Sequence, residues 1–161
     1  MLRTSLKSCV ALAAGVMAMG MAGSACADAA ATVGIQAKIA GLNDLIARKP
    51  TAKEFADYFY EDDLNLVVEG EKAMYPDLKS FMKPLEGYIQ NPTCRFRLVG
   101  KVRQSGNLAA AWTEAHCEAR GQDPGGNFRI LYVFRHGAKG WRATMEIGGP
   151  GSFGIQNGAA R

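Results

Sequence analysis

The chain has 161 residues, 48% of them hydrophobic and 21% charged, with a formal charge of +4. That length holds one domain, the composition is that of a folded chain rather than a disordered one, and no solenoid-length repeat is visible. Two of the 19 basic residues, Arg3 and Lys7, fall in the leading segment; without residues 1–27 the balance is +2, too weak to argue for nucleic acid or an anionic membrane as partner.

Residues 1–27 open with that basic pair, continue as an apolar run from Cys9 to Ala22, and end in Ala25-Cys26-Ala27 before Asp28. Charged start, apolar middle and small-residue exit are the parts of a secretory signal peptide, with cleavage expected after Ala27. Read as a membrane anchor, the run is short and broken by Gly15, Gly20 and Gly23. A second processing route stays open: Gly23-Ser24-Ala25-Cys26 partly resembles a bacterial lipobox, which would put a lipid anchor on Cys26. Either route places the mature domain outside the cytoplasm, periplasmic or secreted.

Ile35, Ile39, Leu42, Leu45 and Ile46 recur at helical spacing, and Lys49-Pro50 closes that helix. Thr51-Ala-Lys-Glu54 is a capping box opening a second helix, which carries Phe55 and Phe59 with Tyr58 beside them. Leu64–Val68 reads as a strand, and Lys72–Tyr75 as a short return. Asp77 caps a third helix running to about Gln90 over Leu78, Phe81, Met82, Leu85 and Ile89, with Pro84 expected to kink or shorten it.

The second half is strands. Cys94–Arg103 and Leu108–Cys117 flank the turn signal Gln104–Asn107. With Ser105-Gly106 at the turn centre, Cys94 falls opposite Cys117. In an oxidising compartment that pair reads as a disulfide; two free buried thiols are the alternative. Asn127–His136 and Trp141–Ile147 flank Gly137–Gly140, and a Gly-rich tail, 149–161, is expected to be loosely ordered. A four-residue loop sets Tyr132 opposite Met145, Ile130 opposite Ile147 and Phe134 opposite Ala143. These form the core face, and Arg129, Arg135, Arg142 and Glu146 the outer face. On the first hairpin, Arg97 faces Glu114 and Val99 faces Trp112 on the outside. Trp112 is expected to be covered by a second subunit or by the chain's own tail. Helices followed by one curved antiparallel sheet make an α+β layout over residues 28–148, with a conical cavity between the layers.

This order resembles the nuclear transport factor 2-like superfamily, above all its SnoaL-like and ketosteroid-isomerase-like branches with their cystatin-like cone. Tyr58–Val68 is similar to the family's helix-to-first-strand passage, and Ile130–Arg142 to its final hairpin. The resemblance implies dimerisation through the sheet. It also implies a general-base carboxylate near Val68, where Glu69 is the candidate, and a second carboxylic acid near Ile130 or Leu131, which this sequence does not supply. A shared fold does not choose between catalysis and binding.

No phosphate loop, zinc pair or nucleophile elbow is present in the sequence, and no cofactor or metal is expected. The leading expectation is an exported binding or association domain for a small apolar or aromatic molecule. Its pocket would be lined by Tyr58, Phe59, Phe81, Phe96, Thr113, Tyr132 and Met145. The alternative is an isomerase, cyclase or hydratase using Glu69 as base and Tyr132 as hydrogen-bond donor. A domain whose pocket is filled by its own side chains is a third possibility.

Overall fold

A computed structural model describes residues 22–69, 74–90, 94–118 and 125–153. Nine elements follow in order: α1 (Ala22–Ala47), α2 (Ala52–Phe59), β1 (Tyr60–Val68), β2 (Met74–Tyr75), α3 (Leu78–Gln90), β3 (Cys94–Ser105), β4 (Leu108–Cys117), β5 (Gly126–Gly137) and β6 (Gly140–Pro150). The helices cover one face of a six-stranded sheet of order β2-β1-β6-β5-β4-β3. The sheet is mixed rather than wholly antiparallel, because β1 runs parallel to β6 at one side. The expected signal peptide lies outside the described residues up to position 21, and α1 begins at Ala22.

Local chemistry accounts for the helices. In α1, Ala31, Ile35, Ile39 and Leu42 are buried on one stripe. Two side chains tie that helix to the edge strand β3. Asp28 accepts the Gln104 amide at 2.8 Å. Asn43 both donates to the Phe96 carbonyl and accepts its amide, each at 2.8 Å, fixing Phe96 where the cavity opens. Gly34 allows close approach: a Cβ there would stand 2.6 Å from the Trp141 ring nitrogen. The Thr51–Glu54 capping box opens α2, with both reciprocal bonds made. Asp77 accepts the Ser80 amide at 2.7 Å at the start of α3. Pro84 sits inside that helix without ending it; the missing N–H removes one intrahelical bond.

The first hairpin reaches the expected cysteine pairing by a different route. Ser105 pairs with Leu108, so the turn is Gly106-Asn107 rather than Ser105-Gly106. An irregularity between Val99 and Arg103, where Gly100 has φ +71°, then restores the register. Cys94 consequently faces Cys117, and the two form a disulfide.

The last hairpin departs from expectation. Phe134 faces Ala143, but Val133 faces Met145 and Tyr132 faces Glu146. Thr144 is the extra residue of a β-bulge, and one inserted residue sends every later side chain of β6 to the opposite face. Glu146 therefore turns inward, while Met145 and Ile147 lie on the outer face, 39% and 46% exposed. The outer face thereby gains a continuous apolar row, Val99–Trp112–Leu131–Ile147–Val67, across β3, β4, β5, β6 and β1.

One further placement corrects the sequence reading, and of the expected loose tail residues 154–161 lie outside the described ones. Arg142 is buried rather than outward, its guanidinium donating to the Ala56 and Tyr60 carbonyls at the α2–β1 junction. β6 continues through Pro150, and the start of the tail is pinned to the sheet. The Phe153 amide donates to Glu114 at 3.2 Å, and its ring meets Trp112 edge-on at 5.2 Å. Trp112 is still 43% exposed beside it.

Candidate functional site

The curved sheet and the helices form a cavity of about 970 Å3 that communicates with solvent. Its walls are largely apolar: Phe55 from α2, Phe81 and Leu85 from α3, Phe96 from β3, Phe128 and Ile130 from β5. The Cys94–Cys117 disulfide borders it where β3 and β4 end.

Glu146 stands in this wall with Tyr60 and Tyr132. Tyr60, the first residue of β1, donates its hydroxyl to Glu146 Oε2 at 2.5 Å. Tyr132 lies on the neighbouring strand directly across from Glu146, and its hydroxyl bonds within the same cluster. Burial pushes the Glu146 carboxyl up to about 7, and the hydroxyls of Tyr60 and Tyr132 pull against that rise. Burial, with Glu146 beside them, holds both tyrosines well above the ordinary phenol range, so they stay protonated donors. The arrangement is a carboxyl that exchanges its proton near neutrality, flanked by two hydroxyl donors, in an otherwise apolar chamber. Such a group can hydrogen-bond a ligand in either protonation state, or move a proton.

Of the residues expected in the pocket, Phe81, Phe96 and Tyr132 line the cavity. The others do not. Tyr58 turns toward α1, donating its hydroxyl to the Lys38 carbonyl at 3.1 Å. Phe59 is fully buried behind the wall, edge-on to Tyr132 and Phe134 at 5.1 and 5.8 Å. Thr113 is fully buried, its hydroxyl directed at the Ile130 carbonyl. Met145 is on the far side of the sheet because of the bulge. Glu69 is exposed at the cavity mouth, packed over Gly149, and so does not meet the requirement of a desolvated base. The acid comes instead from Glu146, which an unbulged register places outside. A signal for it was present in kind: Glu146 is the one charged residue in Ala143–Pro150, between Met145 and Ile147. Alternation alone cannot say which parity wins. Among the described residues no group of His, Cys, Asp and Glu side chains could hold a metal ion.

Fold and site together define a class: an α+β cone with a cavity between its layers, the fold of the nuclear transport factor 2-like superfamily. Solved structures agree. A candidate dehydratase of the NTF2-like family from Streptomyces avermitilis superposes with a TM-score of 0.62 at 12% identity, covering 77% of this chain and 98% of that one. An NTF2-like protein of unknown function from Shewanella oneidensis gives 0.61 at 12% identity, covering 73% and 98%. An NTF2-like protein with a cystatin-like fold from Novosphingobium aromaticivorans gives 0.60 at 15% identity, covering 88% and 95%. Identities this low speak for the fold alone. No protein-family model matches the chain, and no curated protein does.

Proposed function

We propose that this chain is an exported domain that binds a small, mostly apolar molecule in the cavity, with Glu146, Tyr60 and Tyr132 holding the ligand's polar group. One observation carries the reading: an ionisable carboxyl is kept open to a large apolar chamber rather than packed over. A chamber of this size with a few convergent polar groups is what recognition of a small molecule requires. Export is supported by the composition of residues 1–27 and by the disulfide, which points to an oxidising compartment. No helix among the described residues is long and apolar enough to cross a membrane. The apolar row on the outer sheet face supports a homodimer formed through the sheet.

The test is occupancy. The neutral fluorophore Nile red is expected to bind the wild type and to lose binding in Ala115→Phe, which fills the chamber from β4, with circular dichroism confirming the fold. Equal binding by both proteins overturns the reading.

A specific observation favours a second reading, catalysis by proton transfer. Glu146 titrates near neutrality beside two phenol donors, so it could take a proton from carbon while Tyr132 or Tyr60 bonds the developing oxyanion. Deuterium exchange into a bound ketone, abolished in Glu146→Gln, is its expected signature.

A further inference from the structure

Resting on the reading of the cavity as a ligand site, we propose that its ligand is an organic cation: a protonated or quaternary amine on an apolar body, its nitrogen set against Glu146 in the aromatic-lined chamber. Three observations lead there.

The first is charge. Among the described residues, Tyr60 and Tyr132 are the polar side chains that act on the Glu146 carboxylate. Two hydroxyl donors leave lone pairs of a carboxylate unused. α3 turns Phe81 and Leu85 toward the cavity, neither of which can compensate a negative charge.

The second is the walls. Phe55, Tyr60 and Phe81 line the cavity as one packed aromatic group, Tyr60 edge-on to Phe81 with centroids 6.0 Å apart and tilted against Phe55 at 5.8 Å. A cation within about 6 Å of such ring centroids is attracted by their quadrupoles, most strongly where water is excluded.

The third is the border. Among the described residues, Asp44, Glu69 and Glu86 border the cavity, as do Lys49 and Arg95. With Glu146, acidic side chains outnumber basic ones along the described part of the cavity wall, which favours cations over anions.

The test compares phenylbutylamine, phenylbutanol and phenylbutyrate, which share one apolar body and differ in charge. Isothermal calorimetry on the full mature protein at about pH 7 is expected to show the amine binding at least about tenfold tighter than the alcohol, and the acid weakest. Run in two buffers of different ionisation enthalpy, the amine is expected to release a proton from Glu146 and the alcohol is not. Glu146→Gln is expected to bind amine and alcohol alike. Equal binding of amine and alcohol by the wild type, or amine binding without proton release, overturns the cation proposal and leaves the ligand site standing. If the acid binds most tightly, the same holds. Binding of none of the three, with Nile red also excluded, overturns the site and the proposal together.

Discussion

Tyr132 on β5 stands directly across from Glu146 on β6, and that pairing exists because Thr144 is bulged out of the last hairpin. One residue of slip decides what the cavity contains. In regular register Met145 would occupy the position of Glu146, and the chamber would have no acid. With the bulge, a carboxyl enters the apolar wall and two thioether- or alkyl-bearing residues leave for the outer face.

Burial of that carboxyl makes stability pH-dependent. The folded state holds Glu146 at about 7, against an ordinary value of 4.5. Between those values the unfolded chain has lost the proton and the folded chain keeps it, so stability falls as pH rises and levels off above neutrality. Glu146→Gln removes this contribution. Relative to wild type, the variant is expected to gain up to about 3 kcal/mol on going from pH ~4 to pH ~8, read from urea denaturation at each end. A stability difference that does not change with pH would contradict the raised ionisation.

The bulge can be tested without the acid. Met145→Lys is expected to cost under about 1 kcal/mol, because the side chain already reaches solvent. Placed in the cavity wall, the same lysine would bury a charge and cost several times more. Urea midpoints of the variant and the wild type separate the two registers.

The apolar row on the outer face predicts an oligomeric effect. Ile147→Lys puts a charge within the row Val99–Trp112–Leu131–Ile147–Val67 while leaving the core untouched. The wild type is expected to be a dimer by light scattering and the variant a monomer, with an unchanged circular dichroism spectrum. A wild type that is monomeric at all concentrations would remove the dimer from the proposed function.

Arg142 predicts a structural cost with no direct part in the site. Its guanidinium satisfies the Ala56 and Tyr60 carbonyls where α2 passes into β1, and Glu61 lies 3.9 Å from its Nε. Arg142→Ala leaves those buried acceptors unpaired and is expected to cost roughly 2–4 kcal/mol in urea denaturation. Because this junction places Tyr60, weaker ligand binding is expected to accompany the loss.

Reduction is the remaining test. The disulfide closes a hairpin with a sequence separation of 23 at the edge of the cavity. A loop of that length is worth about 3 kcal/mol in the chain-entropy picture. The denaturation midpoint is expected to drop accordingly in Cys94→Ser/Cys117→Ser, measured against the oxidised wild type.

Short-range chemistry was readable in the residues alone. The Thr51–Glu54 box, the Asp77 cap, the apolar stripe of α1 and the facing cysteines each depend on neighbours in sequence or across one turn. Even there the turn falls at Gly106-Asn107 rather than Ser105-Gly106, and the irregularity at Gly100 offsets that shift, so that Cys94 still faces Cys117. Parallel docking of β1 on β6, the turn of Arg142 into the α2–β1 junction and the meeting of Tyr60 with Glu146 across 86 residues are of another kind. Local alternation in β6 favours the unbulged register, which would bury Met145 and Ile147, yet Glu146 and Gly148 face inward. Packing of the whole sheet against three helices overrides that local preference, and with it decides whether this cavity contains an acid.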